Sequence, residues 1–400
     1  MKYVILIGDG MADYPVAELH NRTPLAAADT PNMDFLATQG ELGLARTIPE
    51  GMEPGSDVAN LSIMGYDPTV YHTGRAPLEA ASLGVSLAIQ EVAFRCNLVT
   101  LRHVPGGDIL MEDYSAGHIS SEEARELIES LNQTMGNGSR RFYPGVSYRH
   151  LLVWQGGQED WKTYPPHDLT GQSVRSYLAE EGKEKPLLEL IKSSWSHLAH
   201  HPVNRLRQER GQKPATSIWL WGQGRAPQVP TLQELYGITG AVISAVDLMR
   251  GIGIYAGLKP ILVPGATGYL DTNYAGKVAA ALDALKTMDF VYLHVEAPDE
   301  AGHSGDLQNK LQAIEDFDAK VVGPMLQGLK ALGPHRVLLM PDHRTPLSLK
   351  THSPEPVPFA LYDSRQSLGT RPSRFNEFAA EASGLFIDKA FLLLPRLVER

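Results

Sequence analysis

The sequence predicts an α/β protein: a three-layer domain built on a mainly parallel sheet, with a smaller α/β domain inserted into it. Two observations predict this fold class. Short apolar runs rich in branched residues, typical of strands buried on both faces, alternate with helical patterns, and that alternation indicates parallel βαβ units. Between about residues 103 and 230 the chain becomes richer in Gly, Pro, Arg and His. We therefore expect one discontinuous domain at residues 1–102 and 231–400, and an inserted cap domain at residues 103–230.

The individual elements follow from their hydrophobic periods. The predicted strands of the sheet domain are residues 3–8 (YVILIG), 289–297 (DFVYLHVEA) and 336–340 (RVLLM). The predicted helices are residues 120–132 (SEEARELIESLNQ), 273–288 (NYAGKVAAALDALKTM) and about 307–332. Within the insertion, residues 149–156 (RHLLVWQG) predict a further strand.

Composition and charge exclude several classes of protein. With 400 residues, 43% of them hydrophobic, the chain can bury a large core. Its formal net charge of −10 is spread along the chain, which argues against nucleic acid as a partner, because that binding depends on clustered Lys and Arg. The first apolar run meets Asp9 too early for a signal peptide or a membrane span, and the single Cys96 forms no internal disulfide. We therefore expect a cytoplasmic protein without a membrane partner.

Three of the predicted strand regions run into an aspartate. Asp9 follows VILIG, Asp299 follows VYLHVEAP and Asp342 follows LLMP. Because the carboxyl ends of parallel strands form the binding edge of an open sheet, these carboxylates are predicted to converge there. A single aspartate after a strand is also common as a turn residue or helix cap, but three in the same position favour a site.

Three histidines lie in the same segments as these aspartates. Asp299 and His303 are four residues apart, one helical turn, and therefore face the same side of a helix. His343 is next to Asp342, and His352 follows in the same loop region. This mixture of oxygen and nitrogen ligands suits Mn²⁺ or Zn²⁺ and is too large for one ion, so two ions are predicted.

A serine supplies the candidate nucleophile. Ser56, in GMEPGSDVANLS, is unreactive at neutral pH unless a base or a metal activates its hydroxyl. With Ser56 included, the candidate ligands can be divided between two ions about 3.5–4 Å apart, as in two-metal phosphoryl-transfer sites. The alternative is that Ser56 is the N-cap of the following helix, a position that serine prefers. Both roles are compatible, since a helix N-terminus also favours an anionic phosphoserine.

Taken together, the motifs resemble a known family. DGM at Asp9, PGSDVANLSIMGYDP around Ser56, TGRAPLEAA, HVEAPDEAGHSGD, and PDH followed by THSPEPVP are similar in order and spacing to the archaeal-type cofactor-independent phosphoglycerate mutases of the alkaline phosphatase superfamily. The resemblance runs nearly from end to end. It implies an alkaline-phosphatase-like metal-binding domain and a cap that closes over a small phosphorylated substrate. It also implies interconversion of 3-phosphoglycerate and 2-phosphoglycerate through a phosphoserine, without 2,3-bisphosphoglycerate.

The resemblance also assigns roles to individual residues. It makes Ser56 the nucleophile and a ligand of one metal ion. The other ligands of that ion are Asp9, Asp342 and His343, and the ligands of the second ion are Asp299, His303 and His352. The implied cofactors are two divalent ions, with Mn²⁺ as the first choice and Zn²⁺, Mg²⁺ or Co²⁺ as alternatives.

The cap is expected to bind the carboxylate and the phosphate of the substrate. His118 resembles a family position that touches the transferring group, and Arg149, His167 and Asp168 are further candidates. Arginine suits both anions because its guanidinium binds them with two parallel hydrogen bonds. The alternative for each of these residues is a solvated loop position.

One segment departs from the family pattern. An arginine-containing RGAG-like segment is expected, but SIWLWGQGRAP has Trp221 and Gln223, and its arginine lies at Arg225. A lost or displaced anion contact makes a phosphotransferase for homoserine, a neutral-headed amino acid alcohol, the closest alternative to a phosphoglycerate mutase. A phosphomonoesterase or sulfatase is less favoured, because the large insertion indicates retention of the acceptor. A catalytically silent metal-binding protein is less favoured because all the ligands are present.

Overall fold

The structure, a computed structural model, describes residues 1–179, 182–366 and 374–398. The chain divides into two compact units: the first comprises Met1–His72 with Gln228–Arg400, and the second comprises Thr73–Pro227. The second unit therefore begins after His72, not after residue 102 as predicted, and it ends at Pro227 instead of residue 230.

The described residues form thirteen strands, numbered here in chain order. They are β1 (Lys2–Gly8), β2 (Glu41–Ala45), β3 (Glu91–Val104), β4 (Asp108–Asp113), β5 (Arg140–Val146), β6 (Arg149–Gln155), β7 (Ser217–Gly224), β8 (Gly240–Ile243), β9 (Lys259–Pro260), β10 (Phe290–Val295), β11 (His335–Met340), β12 (Val357–Asp363) and β13 (Phe386–Ile387).

The α-helices of the same residues are numbered in the same way. They are α1 (Pro24–Ala27), α2 (Pro31–Gln39), α3 (Ser56–Ile63), α4 (Pro68–Tyr71), α5 (Arg75–Ser82), α6 (Ser121–Met135), α7 (Lys185–His200), α8 (Pro202–Glu209), α9 (Leu232–Tyr236), α10 (Asp247–Tyr255), α11 (Tyr274–Ala284), α12 (Ala297–Ser304), α13 (Leu307–Phe317), α14 (Gly323–Leu332), α15 (Glu377–Ala382) and α16 (Leu393–Val398). Short 3₁₀ segments lie at Ala17–Leu19, Pro166–Leu169 and Ala390–Leu392.

The first unit is built on an eight-stranded sheet with the order β13-β2-β12-β11-β1-β10-β8-β9. Its central pairs, β1 with β10, β1 with β11 and β10 with β8, are all parallel. Strand β12 is antiparallel to both of its neighbours, and the remaining pairs are parallel. The predicted α/β fold with a mainly parallel sheet is confirmed.

The apolar runs of the central strands explain why this sheet is covered on both faces. Val4 and Leu6 of β1 belong to one core cluster with Leu293 of β10 and Phe317 of α13. Ile5, between them, is also fully buried. Because neighbouring residues of a strand point to opposite faces, a strand buried at every position needs packed layers above and below it.

The long helical pattern from Leu307 to Leu332 is present but interrupted. A π-helical turn, Asp318–Val322, separates α13 from α14. Pro324 has no backbone N–H for the carbonyl one turn earlier, and a π-helical turn accommodates such a break. Among the described residues, no helix is both long enough and apolar enough to cross a membrane.

The second unit contains an antiparallel sheet. Strand β3 pairs with β4, β6 and β7, and β5 pairs with β6, which is the strand predicted at residues 149–156. Helices α6 and α7 contribute Leu127 and Ile191 to a core that includes Phe94 of β3. All fourteen residues of β3 therefore belong to this unit. The predicted boundary was misplaced because it followed the change of composition near residue 103, which falls inside β3.

Candidate active site

The three predicted aspartates lie at the carboxyl edge of the sheet of the first unit. Asp9 follows β1, Asp299 lies in the first turn of α12 just after β10, and Asp342 follows β11. Strands β10 and β11 flank β1, with Gly8 paired to Val295 on one side. The parallel register of three adjacent strands therefore brings the three carboxylates together.

All three carboxylates are buried. Burial, with the negative charges of Asp342 and Asp299, raises the pKa of Asp9 well above its usual value. Burial alone would also raise the pKa of Asp299, but hydrogen bonds from His303 and His352 lower that pKa well below its usual value. Asp9 Oδ1 has no hydrogen-bond partner among the described residues. This excess of buried negative charge, with an unpaired oxygen, fits a divalent cation that binds oxygen ligands.

His343 lies between two of these carboxylates and the predicted nucleophile. Its Nε2 is 3.5 Å from Asp9 Oδ1, 3.3 Å from Asp342 Oδ2 and 3.0 Å from Ser56 Oγ. Its Nδ1 is 3.2 Å from the hydroxyl of Thr345, which fixes the ring orientation. Burial lowers the pKa of His343 and so favours the neutral imidazole, the form that binds metals.

His303 and His352 converge on Asp299. The His303 Nε2 atom is 3.2 Å from Asp299 Oδ2, and the His352 Nε2 atom is 3.5 Å from Asp299 Oδ1. The two Nε2 atoms face each other at 2.9 Å, while His303 Nδ1 is 3.0 Å from the carbonyl oxygen of Lys350. The hydrogen bond with Asp299 raises the pKa of His303 to about 9. The two imidazoles and the carboxylate of Asp299 therefore form one compact cluster.

Among the described residues, two sets of side chains could hold a cation, with ligand atoms within 4.8 Å of one another. The first set is Asp9, Asp342 and His343, and the second is Asp299, His343 and His352. His343 belongs to both sets, whereas the predicted division gave it only to the first. His303 lies beside the second set, which it was predicted to complete. The predicted metal ligands thus all lie at one edge of this unit.

Ser56 is the first residue of α3, and Gly55 is the N-cap. The alternative role of Ser56 as an N-cap is therefore wrong, because the helix begins one residue earlier than that role requires. The Ser56 carbonyl accepts a hydrogen bond of 2.8 Å from Asn60 Nδ2, which also donates to Asp342 Oδ2 at 2.7 Å. Asn60 therefore ties the predicted nucleophile to a predicted metal ligand. Its four-residue spacing from Ser56 was a signal in the sequence, but the sequence-based interpretation missed it.

Gly10, in the motif DGM, is required by its conformation and surroundings. Its φ of 61° lies in the left-handed region, where side chains are strained. A Cβ atom at this position would be 2.7 Å from Asp299 Oδ1 and 2.5 Å from Thr345 Oγ1. Only glycine therefore allows the loop after β1 to approach the loop after β10 so closely.

A buried ion pair joins the loops that carry predicted metal ligands. Lys310 of α13 and Asp13 are both buried, with 2.7 Å between Lys310 Nζ and Asp13 Oδ2. Lys310 Nζ also donates to the Thr345 carbonyl at 2.7 Å, and Asp13 Oδ2 accepts from the Leu347 N–H at 3.2 Å. Burial lowers the pKa of Lys310, and the negative charge of Asp13 acts in the opposite direction by raising it. The pair thus holds the loop after β1 against the loop after β11.

We expect Lys310→Met to lower the free energy of unfolding by about 3–5 kcal/mol, because it leaves Asp13 buried without its partner. Chemical denaturation of the purified chain measures this loss. Lys286→Met is the matched control, since Lys286 and its partner Asp283, which lies 2.9 Å away, are both exposed. Its expected cost is less than about 1 kcal/mol. Equal losses in the two variants would contradict the proposed role of the buried pair.

The predicted substrate residues of the second unit lie along a chain of aromatic rings. The ring of Tyr148 is 5.5 Å from that of Tyr114 and 6.3 Å from that of His118. The Arg149 guanidinium lies 5.5 Å from the Tyr148 ring, and the His167 ring lies 6.2 Å from Tyr114. The structure therefore gathers His118, Arg149 and His167 within this unit.

Backbone and exposure distinguish two of these candidates. His118 is exposed and has a φ of 49°, a left-handed conformation that is uncommon for a residue with a side chain. The side chain of Asp168 is 64% exposed and lies 3.5 Å from His167 Nε2. Asp168 therefore contacts this row of aromatic rings through His167. Its exposure fits the alternative stated above, in which it is a solvated loop residue.

The ring chain ends on an arginine that the sequence-based interpretation missed. The ring of Trp221 lies 5.5 Å from His167 and 4.0 Å from the Arg95 guanidinium. Arg95 Nε donates to Glu79 at 3.1 Å. Burial lowers the pKa of Arg95, and the positive charge of Arg149 lowers it further. The negative charge of Glu79 acts in the opposite direction and raises this pKa. No local motif marks Arg95, because its partners are distant in the sequence.

Arg225, the displaced arginine of the segment SIWLWGQGRAP, has a different role. Arg225 Nε donates to Glu159 at 2.7 Å, and Gln223 Nε2 donates to the Trp161 carbonyl at 2.5 Å. Both side chains therefore fix the loop around residues 159–161. The ring of Trp221, by contrast, packs against the guanidinium of Arg95 in β3. An arginine from another strand therefore lies beside the segment in which the family pattern has an arginine.

Comparison with known proteins gives consistent matches. The sequence profile described as 2,3-bisphosphoglycerate-independent phosphoglycerate mutase matches residues 37–204. A Geobacter sulfurreducens protein named probable 2,3-bisphosphoglycerate-independent phosphoglycerate mutase is 55% identical over 401 residues, covering 100% of both chains. The Methanosarcina barkeri protein named 2,3-bisphosphoglycerate-independent phosphoglycerate mutase is 56% identical over 403 residues, again covering 100% of both.

Solved structures agree with these sequence matches. The PH0037 protein of Pyrococcus horikoshii is 29% identical, with a TM-score of 0.83 and coverage of 100% of this chain and 96% of that chain. The cofactor-independent phosphoglycerate mutase of Thermoplasma acidophilum is 26% identical, with a TM-score of 0.66 and coverage of 100% of both chains.

Proposed function

Because this chain belongs to the family of 2,3-bisphosphoglycerate-independent phosphoglycerate mutases, we propose that it interconverts 3-phosphoglycerate and 2-phosphoglycerate through a phosphoserine at Ser56. One observation carries the proposal for the nucleophile. Ser56 Oγ lies 3.0 Å from His343 Nε2, and His343 belongs to both candidate cation sites. A hydroxyl in that position can be activated, whereas an isolated serine cannot.

The ligand sets define how the cations would be held. Ser56, Asp9, Asp342 and His343 would hold one ion, and Asp299, His303 and His352 the other. The bound cations would lower the pKa of the Ser56 hydroxyl and neutralise charge on the phosphoryl oxygens. We propose Mn²⁺ because the ligands combine carboxylate oxygens with imidazole nitrogens. We also place the protein in the cytoplasm, where its single Cys96 would stay reduced.

The proposed reaction is balanced within the chain and its substrate. Ser56 Oγ gives up its proton and forms a bond to phosphorus as the bond from phosphorus to one glycerate oxygen breaks, and that oxygen takes up a proton in exchange. The glycerate then turns, and its other hydroxyl attacks the phosphoserine, giving up its proton and restoring Ser56. The N-terminus of α3, where Ser56 is the first residue, favours the negative charge of the intermediate.

We propose that the arginines of the second unit bind the glycerate carboxylate. Arg149 is exposed, and it has no acidic partner among the residues that the structure describes. Arg95 is held between Glu79 and the Trp221 ring, so its guanidinium is positioned in advance. These positive charges favour a substrate with net negative charge, such as phosphoglycerate, whereas homoserine carries an ammonium group beside its carboxylate and has no net charge.

Arg149→Gln is expected to raise the KM for 3-phosphoglycerate by about 10-fold or more, since a hydrogen bond to a charged group contributes about 1.5–3 kcal/mol. Steady-state kinetics measure it. Arg141→Gln is the control, because Arg141 is also exposed and lies 5.0 Å from a tyrosine ring, Tyr143. Equal KM values for the wild type and Arg149→Gln would remove Arg149 from the substrate site.

The substrate is tested by parallel assays of the purified chain loaded with Mn²⁺. We expect interconversion of the two phosphoglycerates without added 2,3-bisphosphoglycerate, and no phosphorylation of homoserine by a phosphoryl donor. Turnover of homoserine with inactive phosphoglycerate would favour the alternative. Phosphoglycerate turnover no faster than that of a Ser56→Ala control would contradict the proposed activity.

A further inference from the structure

A buried histidine outside the predicted ligand set contacts one of the proposed metal ligands. His294 of β10 has no exposed surface, and its Nε2 is 2.9 Å from Asp9 Oδ2. In the sheet His294 is paired with Ile7 of β1, two residues before Asp9. Its side chain therefore reaches the carboxylate from the adjacent strand.

The second nitrogen of this imidazole is also occupied. His294 Nδ1 is 3.2 Å from the hydroxyl of Ser244, the residue that follows β8. The Ser244 oxygen already accepts a hydrogen bond of 3.0 Å from the Val246 N–H, which leaves its own hydrogen free to donate to Nδ1. As a metal ligand Asp9 is ionised, and an ionised carboxylate accepts hydrogen bonds only. The network therefore assigns the proton of the neutral ring to Nε2, facing Asp9.

This arrangement distinguishes the two oxygens of Asp9. Oδ2 is held by His294, whereas Oδ1 has no hydrogen-bond partner among the described residues and lies 3.5 Å from His343 Nε2. The backbone of His294 is held as well, since its carbonyl accepts a hydrogen bond of 3.1 Å from the buried Lys277. An apolar residue would fill the space without selecting an oxygen.

We propose that His294 is a positioning residue, which fixes Asp9 so that Oδ1 faces the cation, and that Ser244 sets the tautomer of His294. Groups that orient the ligands of a metal in this way typically change its affinity by 10–100-fold. The inference rests on the proposed function, because it takes Asp9 as a metal ligand. It adds β8 to the strands that build the site, through a residue that binds neither metal nor substrate.

The test is Mn²⁺ binding to the chelator-treated full-length chain, followed by the electron paramagnetic resonance signal of free Mn²⁺. We expect His294→Leu to weaken binding at one of two sites by tenfold or more. His294→Gln places an amide N–H where Nε2 was, and it should lose at least threefold less affinity than His294→Leu. The control for disruption of the sheet is His335→Leu. His335 is a buried histidine of β11 remote from the ligands, and this variant should bind Mn²⁺ with an affinity within threefold of the wild type.

Two outcomes overturn the inference: a loss of less than tenfold in His294→Leu, or an equal loss in His294→Gln. If His294→Leu does not fold, Ser244→Ala decides, with at least threefold weaker binding expected and unchanged binding contradicting the role. Asp9→Asn separates this inference from the proposed function. Unchanged binding in Asp9→Asn would contradict the ligand assignment itself, whereas weakened binding there with normal binding in His294→Leu would contradict only the role of His294.

Discussion

Replacing Ser56 with alanine is expected to lower the rate of phosphoglycerate interconversion by about 10⁴-fold or more, because removal of a covalent nucleophile leaves no path for the phosphoryl group. The substitution removes only the hydroxyl oxygen that lies 3.0 Å from His343 Nε2. Since the hydroxyl does not cap α3, the helix should remain intact. Steady-state assay in both directions measures the change.

Ser62→Ala is the matched control for this variant. Ser62 lies on the same helix, is buried and belongs to neither ligand set, so the same atom is removed from a neighbouring environment. Its activity should stay within a few fold of the wild type. A Ser56→Ala variant that keeps more than a hundredth of the wild-type rate would indicate direct transfer between the two hydroxyls of the substrate, without a phosphoserine.

Removal of divalent metal is expected to abolish activity and to destabilise the first unit. The unpaired oxygen of Asp9 and the buried carboxylates of Asp299 and Asp342 repel one another without a cation. At a free metal concentration of about 100 times the dissociation constant, binding to the folded state alone adds about 2.7 kcal/mol of stability. Thermal unfolding and activity should therefore both recover on titration with Mn²⁺.

The comparison of metals refines this result. Mn²⁺, Zn²⁺, Co²⁺ and Mg²⁺ are added separately to the chelator-treated chain, and Asp299→Asn is treated in parallel as the variant with a damaged site. We expect the largest recovery with Mn²⁺ and a smaller shift in unfolding temperature for Asp299→Asn. Full activity in the metal-free chain would contradict the two-cation site.

The edge of the sheet that carries the aspartates could be predicted from the sequence because its signals are local. A buried strand is recognised from its apolar run, and Asp9, Asp299 and Asp342 each follow such a run within four residues. The general rule for parallel sheets then places them at one edge. His303, His343 and His352 could be predicted for the same reason, because each lies within a few residues of an aspartate or in the adjoining loop.

Features that depend on pairing between distant segments could not be predicted in this way. Strand β3 looks like a strand of the parallel sheet, and only its antiparallel partners, β6 and β7, assign it to the second unit. His294 and Ser244 meet Asp9 through the order of strands, which no local pattern specifies. Asn60 is different, because its spacing from Ser56 on a helix was available in the sequence.

The unusual segment at residues 217–224 illustrates the same limit. From the sequence, Trp221 marks the loss of an expected arginine. In the structure its ring lies 4.0 Å from the guanidinium of Arg95, more than a hundred residues earlier in the chain. Trp221, which from the sequence indicated a different substrate, is therefore accompanied by Arg95 from another strand. The proposal of a phosphoglycerate substrate rests partly on this contact.

The most direct test of the phosphoserine mechanism is mass spectrometry of the metal-loaded chain, quenched in acid shortly after 3-phosphoglycerate is added. We predict a phosphoryl group on the peptide that contains Ser56, lost again when substrate is removed, and absent from Ser56→Ala. Active enzyme that turns over substrate without any phosphorylation of Ser56, or with the phosphoryl group on another residue, would contradict the mechanism.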